Sequence, residues 1–583
     1  MATISAEHPF GIEAIAANVF KYLPLNEIIK QRLVCKLWHK IGTELAIQQV
    51  DDVQIKIGSN FSLDVPNPSK TVENFLQMQA RCPIKFTNFA TYYFESNLGG
   101  KIPKAEETAW LFSQHGHHMK KIKLDLHGEN CWRFLSDILL TLAPNAEELH
   151  LDGYPNEKII EKKLFPQTKP VLKLKSIILH SEDEYEDPIY SRELLTDLFQ
   201  CSPHLERLTI GLDTDQCPGD KINDHDILVL TTLASKGNIC NLTHLSLSDC
   251  VEDTFKILAD HYKRAPFKEF STLITQIHSN EMLMNIATFL DDHKNTWTSL
   301  HITFPFVDEF MDGINFPKMI NLTNLSISVW DIMDEEPDEI RAPLEMLNFG
   351  RQFPNLVTLN LSEDPKSDRR SFFDLEEWFS EHTTPVLSLK NLSLPPLFDA
   401  SILRRMGRIF PNVIKLDLTV QMVEVLKELW VTWPEMKQLE MTIIPTMPFG
   451  STSLDSIFTG IPDVVLKTLP HCRMNTVAVK SFPFIGGLKK LTHLLIKGPS
   501  RMGLYKVNES FNAGIKITNE TARFALANLK ELVFLRISKN RHEISPACIQ
   551  DLCYGLGLHQ VGDGDALRLV KYEWQKKICI YDW

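Results

Sequence analysis

The sequence predicts an α/β solenoid: a parallel β-sheet on the concave face of a horseshoe, helices on its convex face, and a small all-α module ahead of it. Three observations lead there. An apolar-x-x-apolar-x-apolar pattern recurs along most of the 583 residues. Stretches between the copies carry apolar residues at helical spacing. The composition, 44% hydrophobic and 23% charged, suits a folded chain and excludes a disordered, collagen-like or long coiled-coil protein. Length alone would suggest about four domains of ~150 residues. Repeats replace that division, because stacked units share one continuous core.

Residues 8–48 form the first element. Ile12, Ile15, Ala16, Val19, Phe20 and Leu23 fall at helical spacing. Pro24 disfavours helix at Leu23 and ends it. Asn26 is placed to cap a second helix carrying Ile28 and Ile29. A third contains Leu33, Val34, Leu37, Trp38 and Ile41 and is apolar on more than one side. Three short helices cannot make a self-sufficient core without a metal, disulfides or a partner. The segment has no metal-ligand cluster and one cysteine, Cys35, so a partner surface is the remaining answer. The run Val19-Phe20-x-Tyr22-Leu23, Leu25, Ile28-Ile29 and above all Val34-Cys35-Lys36-x-Trp38 resembles the F-box. Gly11-Ile12 stands where that family has Leu-Pro.

Residues 49–118 read as a linker with degenerate first repeats, Val53-x-Ile55-x-Ile57 and Ile84-x-Phe86, and a helix over Ala105–Gln114. Residues 119–545 hold the repeats. Clear copies are Leu205-x-x-Leu208-x-Ile210, Leu242-x-x-Leu245-x-Leu247, Leu322-x-x-Leu325-x-Ile327, Leu356-x-x-Leu359-x-Leu361, Leu389-x-x-Leu392-x-Leu394, Val413-x-x-Leu416-x-Leu418, Leu491-x-x-Leu494-x-Ile496 and Leu532-x-x-Leu535-x-Ile537. Weaker copies start at Met119, Ala146, Leu174, Phe267, Trp297, Met436 and Met474, the last only 17 residues before Leu491. In each, the apolar-x-apolar triplet is a strand with two side chains inward and its neighbours outward. Thr254–Tyr262 and Glu281–Leu290 have helical spacing. A strand-plus-helix unit of this length is the leucine-rich repeat, and the long intervals favour α-helices over 3₁₀ turns on the convex side. The Asn241-Leu-Thr, Asn321-Leu-Thr and Asn391-Leu-Ser sequons fall inside the pattern and read as repeat residues, not glycan sites. Residues 546–583 read as a C-terminal cap or tail that either covers the last repeat or folds back over the concave face.

An F-box followed by such repeats resembles the F-box/leucine-rich-repeat class, the substrate receptors of SCF-type (Skp–cullin–F-box) ubiquitin ligases. Leu242–Cys250 is similar to the cysteine-containing repeat of that class. The resemblance implies a Skp-family adaptor as partner, with a cullin and a RING subunit reached through it. The adaptor-facing residues would come from Ile12, Ile15, Val19, Phe20, Leu23, Leu25, Ile28, Ile29, Val34, Cys35 and Trp38. A protein substrate would lie on the concave face, where the outward positions place Arg207, His244, His301, Asn324, Asn360, Lys415, His493 and Arg536. Secondary candidates are the acidic runs Glu182–Asp187 and Asp331–Glu339, which could steer a basic segment, and the insert Gly498–Lys516. An interaction scaffold unrelated to ubiquitin is the alternative.

Nothing points to catalysis or a cofactor. There is no Walker loop, His-Glu-x-x-His or Gly-x-Ser-x-Gly. His115-Gly-His117-His118 follows a predicted helix, where histidines complement the dipole, and is not read as a metal site. Gly555-x-Gly557 lacks the third glycine of a dinucleotide loop. A net charge of −13 without a basic run argues against nucleic acid. No apolar stretch of transmembrane length or secretory leader is seen, and Cys579 is misplaced for prenylation. Eleven cysteines without Cys-x-x-Cys fit a reducing compartment, hence cytoplasm or nucleus.

Overall fold

A computed structural model describes residues 53–57, 88–93, 116–127, 135–154, 164–165, 170–181, 190–212, 224–237, 239–274, 277, 279–305, 307–308, 313–330, 340–341, 344, 347–363, 375, 379, 384–397, 399–420, 422–443, 454–466, 483–497, 517–538, 542–561 and 566–571. The segment 8–48 expected to be all-α, the predicted helix Ala105–Gln114, both acidic runs and the insert Gly498–Lys516 lie outside them. The chain forms two compact units, Met1–Thr275 and Gln276–Trp583.

In the first unit the strands are β1 (Val53–Ile57), β2 (Asn88–Tyr93), β3 (Lys121–His127), β4 (Glu148–Tyr154), β5 (Ser176–Ser181), β6 (Arg207–Leu212), β7 (His244–Cys250) and β8 (Glu269–Ile274). Each pairs in parallel with the next. In the second unit β9 (Ser299–Pro305), β11 (Asn324–Trp330), β13 (Thr358–Glu363), β14 (Asn391–Leu397), β15 (Lys415–Val420), β16 (Gln438–Ile443), β17 (His493–Lys497) and β18 (Phe534–Ser538) do the same. The two-residue strands β10 (Val307–Asp308) and β12 (Ile340–Arg341) pair with each other beside that sheet. The parallel run ends where β20 (Ala566–Lys571) pairs antiparallel with β18 and with β19 (Leu558–Gln560). Part of the C-terminal segment is thus a sheet-closing cap.

The register explains the repeat. Its second apolar positions line up from strand to strand as Leu325, Leu359, Leu392, Leu416, Leu439 and Leu494, and its third as Ile327 with Leu361 and as Leu394, Leu418, Met441 and Ile496. All twelve are buried. Full burial of such a side chain is worth about 1.5–3 kcal/mol, so the two rows dominate the stability of the sheet. Where β8 substitutes Thr272 at the third position, its hydroxyl donates to Cys250 Sγ at 2.9 Å, which satisfies the buried oxygen.

A second regularity lies in the turn before each strand. One carbonyl accepts two successive N–H groups of the next repeat: Glu206 O from Thr243 and His244, Thr298 O from Thr323 and Asn324, Lys437 O from Thr492 and His493. The residue just ahead of the repeat's first apolar position reaches back as well. Asn241 donates to Pro203 O at 3.0 Å, Asn321 to Asn295 O at 2.6 Å, Asn355 to Ile320 O at 2.8 Å and Asn412 to Leu387 O at 2.8 Å. Asn391, inside the third sequon, donates to Thr358 Oγ1 at 3.0 Å. The sequon asparagines are rungs between repeats.

Helices cover the buried side of each sheet. The predicted Thr254–Tyr262 is observed as Glu252–His261, and Glu281–Leu290 as Asn280–Asp292. Ser279 caps the latter by accepting from Met282 N at 3.1 Å. Helices Arg192–Cys201, Asp224–Lys236, Ala400–Ile409 and Val423–Thr432 fill other intervals. The long intervals before β17 and β18 hold 3₁₀ turns at Ile485–Gly487 and Leu526–Asn528 as well as the short helices Leu454–Thr459 and Asn519–Phe524, so the helical layer is mixed and not all-α as expected. Large aromatics tie this layer together. Trp433 Nε1 donates to Phe410 O at 2.8 Å and Tyr262 Oη to Leu230 O at 2.9 Å, each a bond to the preceding repeat.

One sequence expectation is corrected, and another, Ile84-x-Phe86, lies outside the described residues, next to the strand Asn88–Tyr93. β1 pairs residue for residue with Phe89–Tyr93, a run rich in aromatic and β-branched side chains that suits a strand. The copy at Met474 lies outside the described residues, and β16 pairs directly with β17, so no strand from it stands between them. Its 17-residue spacing from Leu491 was too short for a full unit.

Candidate functional site

The positions alternating with the buried rows form an open, polar face on each sheet. In the first unit one row across the register is Lys121, Glu148, Ser176, Arg207, His244 and Glu269. Opposite charges alternate in it. Lys121 Nζ lies 3.4 Å from Glu148, and His244 Nε2 lies 3.3 Å from Glu269. Thr243 Oγ1 sits 2.7 Å from His244 Nδ1, which fixes the ring. Just outside the row, Glu147 bridges Lys120 and Lys175 on the neighbouring repeats, and these two ammonium groups hold its carboxyl down at about 2.

The second unit's face changes character along the sheet. On β9, β11, β13 and β14 the outward residues are Ser299, His301, Thr303, Asn324, Ser326, Ser328, Thr358, Asn360, Ser362, Asn391 and Ser393. They hydrogen-bond across strands. Asn360 donates to Ser326 Oγ at 2.9 Å, and the Ser328 and Ser362 hydroxyls lie 2.6 Å apart. Desolvation keeps the His301 imidazole below its usual pKa, and this zone carries hydroxyls, amides and that ring. Next come two carboxylates in register, Asp417 on β15 and Glu440 on β16. Partial burial, then the Glu440 charge, pushes Asp417 above the usual carboxylate range. Glu440 is paired with Lys497 on β17. The last zone comprises His493, Leu495, Phe534, Arg536 and Arg568. His493 and Phe534 rings are 6.0 Å apart, and the Arg568 guanidinium lies 5.9 Å from the Phe534 centroid.

The eight outward residues expected from the pattern all occupy the open side of a strand. Arg207, His301, Asn324, Lys415 and Arg536 are exposed, and His244, Asn360 and His493 are half-buried. Arg207 and His244 are neighbours in the first unit. In the second, His301 and Asn360 share one row across Ser326, while Lys415 and His493 share another across Gln438. The eleven adaptor-facing residues of segment 8–48 lie outside the described residues. Sequence reasoning missed Glu440, Phe534 and Arg568. Arg568 carried a signal, since Leu567-x-Leu569 around it has period two.

Among the described residues no group of three or more His, Cys, Asp and Glu side chains is placed to hold a metal ion. Nor is any described helix long and apolar enough to cross a membrane. Gly557, at φ 66°, is the left-handed C-cap of helix Pro546–Leu556. The two faces present hydrogen-bonding groups and charges in fixed rows, an arrangement suited to binding another chain. No protein-family model matches the sequence, and no curated protein matches it.

Proposed function

We propose that this chain is the substrate-recognition subunit of an SCF-type ubiquitin ligase. In this reading residues 8–48 are an F-box that binds a Skp-family adaptor, and through it a cullin and a RING subunit. The strand–helix units are leucine-rich repeats whose open face holds a protein substrate. The chain makes and breaks no bonds. It raises the effective concentration of substrate lysines near the ubiquitin-charged conjugating enzyme. Such a subunit works in the cytoplasm or the nucleus. The observation that carries the reading is the union, in one chain, of the Val34-Cys35-Lys36-x-Trp38 segment with repeats that expose a register-aligned polar face.

The test is affinity purification of the intact chain, a deletion of residues 1–48, and a Phe20→Ala/Leu23→Ala variant. The expected outcome is loss of adaptor, cullin and RING subunit from both altered forms, with substrate proteins retained. Adaptor binding that survives both changes would overturn the F-box assignment. Adaptor recovered without cullin from the intact chain would overturn the ligase role.

A further inference from the structure

We propose that the rim of the first unit where helices Asp224–Lys236 and Glu252–His261 end binds an acidic protein segment, with its carboxylates on Lys236, Lys263 and Arg264. This rim is separate from the open face, so the binding adds a second contact surface and does not depend on the ligase reading.

Four observations carry it. First, the topology brings the three cations to one rim. Each helix follows one strand of the parallel run β6–β7–β8 and leads back to the next, so both run the same way and their C-terminal ends fall on one side. The two helices also pack against each other. Second, Lys263 and Arg264 are the central residues of a tight turn, closed by Ala265 N donating to Tyr262 O at 2.9 Å. Tyr262, Ala265 and Phe267 are buried, the Tyr262 and Phe267 rings stack 6.1 Å apart, and the Tyr262 hydroxyl donates to Leu230 O of the neighbouring helix at 2.9 Å. The turn is thus pinned, and its two basic side chains are exposed. Third, among the described residues Lys236, Lys263 and Arg264 make no ion pair or side-chain hydrogen bond, in a chain of net charge −13. Asp226, Glu252 and Asp253 stand in the first turns of the two helices, on the opposite rim, and of the helices' described carboxylates only Asp260 shares the basic end. Fourth, the fold does not require these cations. Turn centres favour Pro, Asn, Asp, Gly and Ser. Stabilisation by the helix dipole falls off within the last turn, and Lys263 and Arg264 lie beyond the Tyr262 C-cap.

The spacing suits an extended segment. Lys236 lies about 9 Å along its helix from Leu230, whose carbonyl the Tyr262 hydroxyl holds. An extended segment covers about 3.3 Å per residue, so a run of about ten residues reaches from Lys236 to the Lys263–Arg264 turn. Arg264 offers a planar fork to a carboxylate, and the two lysines act as point charges. Exposure of all three keeps each contribution modest, so several acidic residues must engage together and the binding is salt-sensitive.

The experiment measures fluorescence anisotropy of a labelled ten-residue peptide, alternating glutamate with serine, on the full chain at low salt. A counterpart with glutamine for every glutamate is the charge control. The acidic peptide should bind and the glutamine peptide should not, with affinity falling as salt is added. Lys263→Glu with Arg264→Glu should weaken the acidic peptide by about tenfold, and adding Lys236→Glu should weaken it further. Lys489→Glu with Lys530→Glu, the same charge change on exposed turns of the second unit, should bind as the unaltered chain does. All five of these side chains are exposed, so each variant is expected to melt at the unaltered temperature, which separates binding from folding. No binding of the acidic peptide, unchanged affinity in the rim variants, equal binding of the glutamine peptide, or an equal loss in the control pair would each overturn the inference. Adaptor co-purification tests the ligase reading and is read separately on the same variants.

Discussion

Replacing Asp455 by alanine should release the start of helix Asn519–Phe524, whereas asparagine should not. Asp455 lies in helix Leu454–Thr459 and is 7% exposed. Its Oδ1 accepts from Thr518 N at 2.9 Å, from Thr521 N at 3.3 Å and from the Thr521 hydroxyl. Its Oδ2 accepts from Thr518 Oγ1 at 2.9 Å. One carboxylate thus caps a helix 63 residues away in the chain. Alanine strands two backbone N–H groups. At about 1–3 kcal/mol for each buried unsatisfied donor, the cost is about 3 kcal/mol. Asparagine keeps the three Oδ1 bonds, and its amide meets a threonine hydroxyl that can accept as well as donate. It also removes a buried charge, whose desolvation raises the Asp455 pKa. Its net cost should stay within about 1 kcal/mol. Hydrogen exchange followed by mass spectrometry on peptides spanning 517–526 reads this directly. Alanine should accelerate exchange there by about a hundredfold and asparagine by less than tenfold. Equal acceleration by the two substitutions would show that the charge, and not the count of accepted bonds, holds the helix.

Three further outcomes are expected. Asp417→Asn should stabilise the chain near pH 7 and be neutral near about pH 3: with a folded pKa raised by burial, the aspartate's stability contribution is present below its unfolded pKa and is lost as pH rises through the folded one. Urea midpoints at the two pH values check the sign. Trp297→Ala should cost about 3–5 kcal/mol, because the buried indole packs 5.6 Å from Phe289 and 5.4 Å from His293 and donates to Leu290 O. A urea midpoint shift of under a third of that would refute the packing account. Asn355→Ala removes one inter-repeat rung and should cost about 0.5–1.5 kcal/mol, less than the loss of a buried leucine such as Leu359, as comparison of the two melting shifts would show.

Much of the fold was legible because the repeat is a local pattern. The alternation in Leu322-x-x-Leu325-x-Ile327 and its relatives gives strand position and facing without knowledge of the partner strand. The helix over Glu281–Leu290 followed from apolar spacing, while its start behind the Ser279 cap and its end at Asp292 came from the structure. The sequence was weaker where a copy is defined by its neighbours. The Met474 copy fits the pattern and has no place between β16 and β17. Of the candidate face, the outward residues followed from alternation alone, but their grouping did not. Asp417 beside Glu440 and Arg536 beside Arg568 are products of pairing between distant segments.

By itself, then, the sequence determined which side chains enter the core and which turn to the open face, because a period of two assigns them residue by residue. It also carried the Val34-Cys35-Lys36-x-Trp38 segment on which the proposed function rests. Only the tertiary structure decided that residues 566–571 close the second sheet antiparallel, that Asp455 caps a helix across 63 residues, and that two arginines share one end of the face. Each of these depends on the register and approach of segments far apart in the chain, which no local propensity encodes.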